Sequence, residues 1–96
     1  MVSKRAVVVA TQAQVSSDLA GEAVILNLKN GMYYGLDAVG ARIWTLIQYP
    51  QTVVALHDAI MAEYEVDAGR CEQDILALLS DLAAAQLIEI TDVRSA

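Results

Sequence analysis

The sequence predicts an α+β fold, and two observations carry that reading. Branched and aromatic residues gather in strand-like runs in the first third, separated by a strong turn signal at Lys29–Asn30–Gly31. The remainder carries apolar residues at helical spacing, broken near Tyr49–Pro50 and Glu65–Asp67. Strands followed by helices, in a chain of 96 residues, argue a single domain over 1–96.

The elements follow in order. Ala6–Ala10 and Gln14–Leu19 are the candidates for an early strand, the second weakened by Ser16, Ser17 and Asp18. Ala20–Gly21–Glu22 reads as a turn, and Ala23–Leu28 as a strand rich in branched residues. Met32–Leu36 returns after the Asn30–Gly31 turn. A two-residue loop would pair Leu28 with Tyr33. A three-residue loop would pair Leu28 with Met32, Leu26 with Tyr34 and Val24 with Leu36. The second register is preferred because it gathers six apolar or aromatic side chains on one face. It turns Tyr34 toward the core and Tyr33 away, and asks Gly31 to be left-handed.

Three helices are expected next. Asp37 caps the first, which runs to about Gln48 with Val39, Ile43, Leu46 and Ile47 on its apolar side and Trp44 beside them. Thr52 caps the second, whose stripe is Val53, Leu56, His57, Ile60 and Met61. Asp67 caps the third, with Cys71, Ile75, Leu78, Leu79 and Leu82 on the core side. Leu87–Ile90 closes as a short extended segment, and Thr91–Ala96 reads as a frayed tail. A three-stranded antiparallel meander followed by three α-helices is winged-helix-like. The third strand of such a meander is an edge, where a partner strand can add.

Composition narrows the function. Six Lys and Arg stand against twelve Asp and Glu, a net charge of −6. The basic residues are scattered beyond the Lys4–Arg5 pair, whereas nucleic-acid binders usually carry a basic patch. A basic or neutral partner fits better, and no nucleic-acid partner is expected. Cys71 is the only cysteine, which excludes an internal disulfide and suits a reducing cytoplasm. The Ala6–Ala10 run is too short for a signal peptide, and no stretch approaches a membrane span. Export and membrane association are not expected.

No reactive constellation emerges. His57, the one histidine, lies on a helical stripe and reads as a core or boundary residue. Cys71 reads as packing, with no second Cys or His at metal-ligand spacing, so no metal site is expected. The carboxylates at Asp58, Glu63, Glu65, Asp67, Glu72, Asp74 and Asp81 read as solvated surface. The glycines lack the strand–loop–helix pattern of a phosphate loop. The chain is expected to be no enzyme and to need no cofactor. Tyr33–Tyr34 is more informative, since an outward tyrosine on an edge strand offers contact area at low entropic cost.

The run Val24–Ile25–Leu26–Asn27–Leu28, then Asn30–Gly31–Met32–Tyr33–Tyr34–Gly35–Leu36–Asp37, then Gly40–Ala41–Arg42–Ile43–Trp44, resembles the PqqD family signature. Thr52–Val53, Tyr64–Asp67, Asp74–Ile75, Leu78–Leu79, Leu82 and Leu87–Ile88 extend the likeness over about Val15 to Ile90. The resemblance implies a leader-recognition element for ribosomally made, modified peptides, most like the stand-alone leader-binding proteins of lasso-peptide maturation. It implies that a leader peptide adds antiparallel to the third strand and lies against the third helix. Carried over by position, the peptide-binding residues would be Met32, Tyr33, Tyr34, Gly35 and Leu36 on the strand. Asp74, Leu78 and Asp81 would serve on the helix, with Leu78 meeting an apolar side chain and an aspartate a basic or polar one. Proline at Leu36 is expected to delete a donor of the pairing strand. The partners implied are the precursor leader and a leader peptidase or other maturation enzyme. A homodimer through the edge strand is also possible. The alternatives are a peptide chaperone of pyrroloquinoline quinone synthesis and a winged-helix DNA-binding regulator.

Overall fold

The structure, a computed structural model, describes residues 4–19 and 21–91. Nine elements follow one another: β1 Val7–Ala10, β2 Gln14–Leu19, β3 Glu22–Asn27, β4 Tyr33–Leu36, α1 Ala38–Leu46, β5 Gln51–Thr52, α2 Val53–Glu63, α3 Ala68–Ala84 and β6 Ile88–Thr91. The fold is α+β, with the antiparallel meander β2-β3-β4 preceding the helices. Of the two early-strand candidates, Gln14–Leu19 is the first meander strand. Ala20, in the expected turn, and 92–96, in the expected tail, lie outside the described residues.

Val7–Ala10 has a different role. It is the centre of a second small sheet, β5-β1-β6, pairing Val8 with both Gln51 and Ile90. This sheet ties the start of the described chain to its end. Val8 is fully buried, and the Ala10 N–H reaches the Ile47 carbonyl at 2.7 Å. A two-residue strand such as β5 leaves no periodic trace in sequence, so this sheet was not expected.

The helices begin where their caps require. Asp37, Thr52 and Asp67 each accept a backbone N–H from the residue three positions on, at 2.8, 3.1 and 2.9 Å. The first helix stops at Leu46, with Ile47 as its cap, two residues short of the Gln48 expected. Ile43, Leu56, Ile60, Ile75, Leu79 and Leu82 join Ile25 and Val8 in one buried core. Arg42 of α1 and Glu63 of α2 clasp across the surface, Nε to Oε1 at 2.9 Å.

The β3–β4 register differs from both alternatives read from the sequence. Leu26 pairs with Tyr33, Ile25 with Tyr34 and Ala23 with Leu36, across a four-residue loop from Leu28 to Gly31. The core face of β3 is therefore Ala23, Ile25 and Asn27, while Val24, Leu26 and Leu28 face outward. The cause is Asn27, which is 2% exposed. Its side-chain amide donates to the Ala85 carbonyl at the end of α3 (2.8 Å), and its Oδ1 accepts the Lys29 N–H (2.8 Å). Both polar ends are satisfied, so its burial is tolerated. Gly31 is left-handed as expected, at φ 71°. Tyr34 and Leu36 face inward, and Tyr33 is 71% exposed on the other side.

Candidate peptide-binding groove

Among the described residues the third meander strand, β4, is an edge. Backbone alternation decides which of its groups are free. The Asn27 N–H donates to the Met32 carbonyl at 2.9 Å, which marks that pair as hydrogen-bonded. In an antiparallel ladder bonded and non-bonded pairs alternate, so the peptide groups of Tyr34 and Leu36 turn to β3. Those of Tyr33 and Gly35 turn to the open edge. The bond from the Leu28 N–H to the Ala13 carbonyl on the other side of β3, at 3.0 Å, agrees with this alternation. The expectation for Leu36 is corrected accordingly: its N–H belongs to the β3–β4 ladder, and proline there would break the hairpin.

Alongside this edge runs an open groove of about 750 Å³ between β4, α1 and the first half of α3. Its lining is mainly apolar: Leu36, Val39, Ile43, Ile60, Ile75 and Leu78, with Val66 from the α2–α3 connector. Asp37, Asp67, Arg70 and Asp74 supply the polar lining. Asp37 and Asp67 are engaged as helix caps. Arg70 Nε and Asp74 Oδ2 stand 3.8 Å apart, one turn along α3. An unpaired strand edge beside an apolar groove is the arrangement that accepts an extended peptide, the backbone giving affinity and the groove selecting alternate side chains.

Of the residues singled out in the sequence, Tyr34, Gly35, Leu36, Asp74 and Leu78 line this groove together. Met32 is 65% exposed just before β4, and Tyr33 lies on the outer face of the sheet. Asp81 lies outside the lining but close to Tyr34. The phenol of Tyr34 is held above its ordinary range by burial first and by the Asp81 carboxylate second. Sequence reasoning missed Val39, Gly40, Val66, Arg70 and the groove side of Cys71. Gly40, in the motif after the β-hairpin, and Val66, in the Tyr64–Asp67 stretch of the likeness, did carry a signal. A Cβ at Gly40 would come within 3.3 Å of Leu36 and Asp37, so glycine lets α1 approach β4 closely.

The two residues weighed for chemistry are otherwise engaged. His57 Nε2 is 3.0 Å from the Ala68 carbonyl. Cys71 is 5% exposed, and burial, with a smaller effect of Asp74, pushes its thiol above the usual range. Among the described residues no group of three or more His, Cys, Asp or Glu could hold a metal ion, and no helix is long and apolar enough to cross a membrane.

Comparison with known proteins agrees with this architecture. No curated protein matches the chain. A solved structure of TbiB1 in complex with the TbiA(beta) leader peptide is 42% identical over 84% of this chain and 94% of its own, with a TM-score of 0.78. A lasso peptide synthetase B1 complexed with the leader peptide shares the fold at 21% identity, covering 85% of this chain and 96% of its own, with a TM-score of 0.74. The model of the family described as coenzyme PQQ synthesis protein D matches residues 22–88. The chain belongs to the PqqD family.

Proposed function

We propose that this chain is a non-catalytic adaptor that binds the leader of a ribosomally made precursor peptide. The leader adds as an antiparallel strand to β4, and the adaptor presents it to a maturation enzyme, a lasso-peptide leader peptidase. The observation that carries the reading is the free edge at Tyr33 and Gly35 lying beside an apolar groove. Groove-facing leader side chains would lie opposite Tyr34 and Leu36, and one of them would meet Leu78. Asp74 and Asp81 would hold a basic or polar leader residue. Membership of the PqqD family and the likeness to TbiB1, solved with a leader peptide, support the same reading. We place the adaptor in the cytoplasm, consistent with a single, buried, free cysteine.

The family description names coenzyme PQQ synthesis and so keeps a second precursor class in view. The test is fluorescence anisotropy of labelled leaders encoded near this chain, alongside a precursor peptide of pyrroloquinoline quinone synthesis. A control leader has its apolar anchors changed to alanine, and duplex DNA is titrated in parallel. Saturable binding of a lasso leader, lost in the control, is expected. Preference for the quinone precursor would move the adaptor to the second class. Binding of DNA alone would sink both.

A further inference from the structure

One wall of the groove is neither strand nor helix. Val66 stands on the connector 64–67 between α2 and α3, and it lines the groove beside Ile43, Ile60 and Ile75. Those three, one from each helix, are at most 2% exposed and form the floor. Val66 is 42% exposed and lies outside the buried core, so the fold gains little from its methyl groups. A single exposed valine is common on any surface. What sets this one apart is how firmly its backbone is held.

The connector is pinned on both sides. Arg42 of α1 grips Glu63, the last residue of α2, with Nε 2.9 Å from Oε1 and Nη2 3.1 Å from Oε2. The Tyr64 N–H donates to the Ile60 carbonyl at 2.9 Å. On the far side the Asp67 carboxylate accepts the Arg70 N–H at 2.9 Å, and His57 Nε2 is 3.0 Å from the Ala68 carbonyl. Only Glu65 and Val66 span the gap between these fixed points. A wall held in this way keeps its place when a ligand arrives. A wall that does not yield discriminates side chains by size.

The run of the groove decides which leader residue meets this wall. Asn27 is bonded to the Ala85 carbonyl and, through its backbone, to Met32, so β4 begins at the C-terminal end of α3. It runs from there toward the N-terminal half of α3, where Arg70, Cys71 and the connector stand. A leader antiparallel to β4 would turn two side chains into the groove. The one opposite Leu36 comes first in the leader and lies toward Val66. The one opposite Tyr34 follows two residues later and lies toward Leu78. We propose that Val66 is a specificity-determining residue that limits the size of the apolar leader side chain opposite Leu36. Arg42 and Glu63 are positioning residues that hold it there. The proposal rests on the leader-binding reading and deepens it.

The test uses the full chain and the lasso leader of the anisotropy experiment above, remade with Ala, Val, Leu or Phe at its first or its second groove-facing position. The readout is the ratio of Kd values across each series, with urea midpoints measured in parallel. A methylene at a closely fitted apolar wall is worth roughly tenfold or more, so about fivefold is expected at this open rim. Val66→Ala should shift preference at the first position toward Phe by that factor, and Val66→Phe should shift it toward Ala. Ratios at the second position should stay within about twofold, and the urea midpoints should match wild type. R42A/E63A should blunt the discrimination at the first position, and the charge reversal R42E/E63R should restore it. A purely structural clasp would lower all affinities alike and leave the ratios unchanged, which would overturn the positioning role. First-position ratios unmoved by both Val66 variants, or equal shifts at both positions, would overturn the specificity role while leaving the leader site standing. A wild-type chain that binds none of these leaders would remove the leader reading first, and this proposal with it.

Discussion

Asn27 shows how one side chain anchors a strand register to a distant helix end. It joins the β3–β4 turn, through the Lys29 N–H, to the end of α3, through the Ala85 carbonyl. This bond ties the meander to the helical layer next to the groove. Asn27→Ala leaves both partners without their bond, and a buried group left unsatisfied costs about 1–3 kcal/mol. The expected loss is about 2 kcal/mol in urea denaturation, with an unchanged dependence on denaturant concentration. Cys71 gives a second expectation at this scale. Its thiol is raised in the folded state by burial, so the folded chain holds this proton more tightly than the unfolded chain. Its contribution is fully present below the unfolded thiol pKa and is lost as pH rises through the higher folded value. Stability should therefore fall at alkaline pH, and Cys71→Ala should flatten that fall in denaturation curves measured across the range.

At the scale of elements, β4 makes the sharpest prediction, because its two sets of backbone groups have different duties. Gly35 has its N–H on the open edge, and an added Cβ would meet nothing within 4 Å. Proline is tolerated at such edge positions. Gly35→Pro should keep the circular dichroism of the parent and weaken leader binding at least tenfold, whereas Gly35→Ala should bind within about threefold of wild type. Leu36→Pro should lose the fold itself, since its N–H serves the β3 ladder. Normal leader binding by a folded Gly35→Pro chain would reject strand addition. The helix starts at Asp37, Thr52 and Asp67 were legible in sequence because a cap is a local bond between near neighbours. The hairpin register was not. Period-2 reasoning places Val24, Leu26 and Leu28 inside, and a polar Asn27 argues against the opposite face until its partner at Ala85 is known. That partner is 58 residues away, a distance no local pattern spans. The same limit hid the β5-β1-β6 sheet. In the groove, the edge position of β4 could be read from the strand order, whereas Leu78 came from the family resemblance, since helical spacing alone places it on the core side. Val39, Val66 and Arg70 meet them only through the packing of α1, the connector and α3.

For the molecule as a whole, ligand linkage turns the groove into a stability measurement. A leader that adds a strand to β4 binds the folded chain and has no site on the unfolded one. At a free concentration of 100 times Kd, such a ligand stabilises by about 2.7 kcal/mol. In a domain of this size each kcal/mol moves Tm by about 4–8 °C, so the expected rise is roughly 10–20 °C, measured by scanning calorimetry. Its salt dependence then tests what holds the leader. The groove is lined mainly by Leu36, Val39, Ile43, Ile60, Val66, Ile75 and Leu78, and apolar burial is not screened by salt. Contacts of Asp74 and Asp81 with a basic residue would be, since the Debye length falls to about 3 Å at 1 M. Most of the Tm rise should persist at 1 M sodium chloride, and Asp74→Asn should remove little of it. A rise that vanishes at high salt would instead assign the leader's affinity to the aspartates, with the apolar groove serving only to orient the chain.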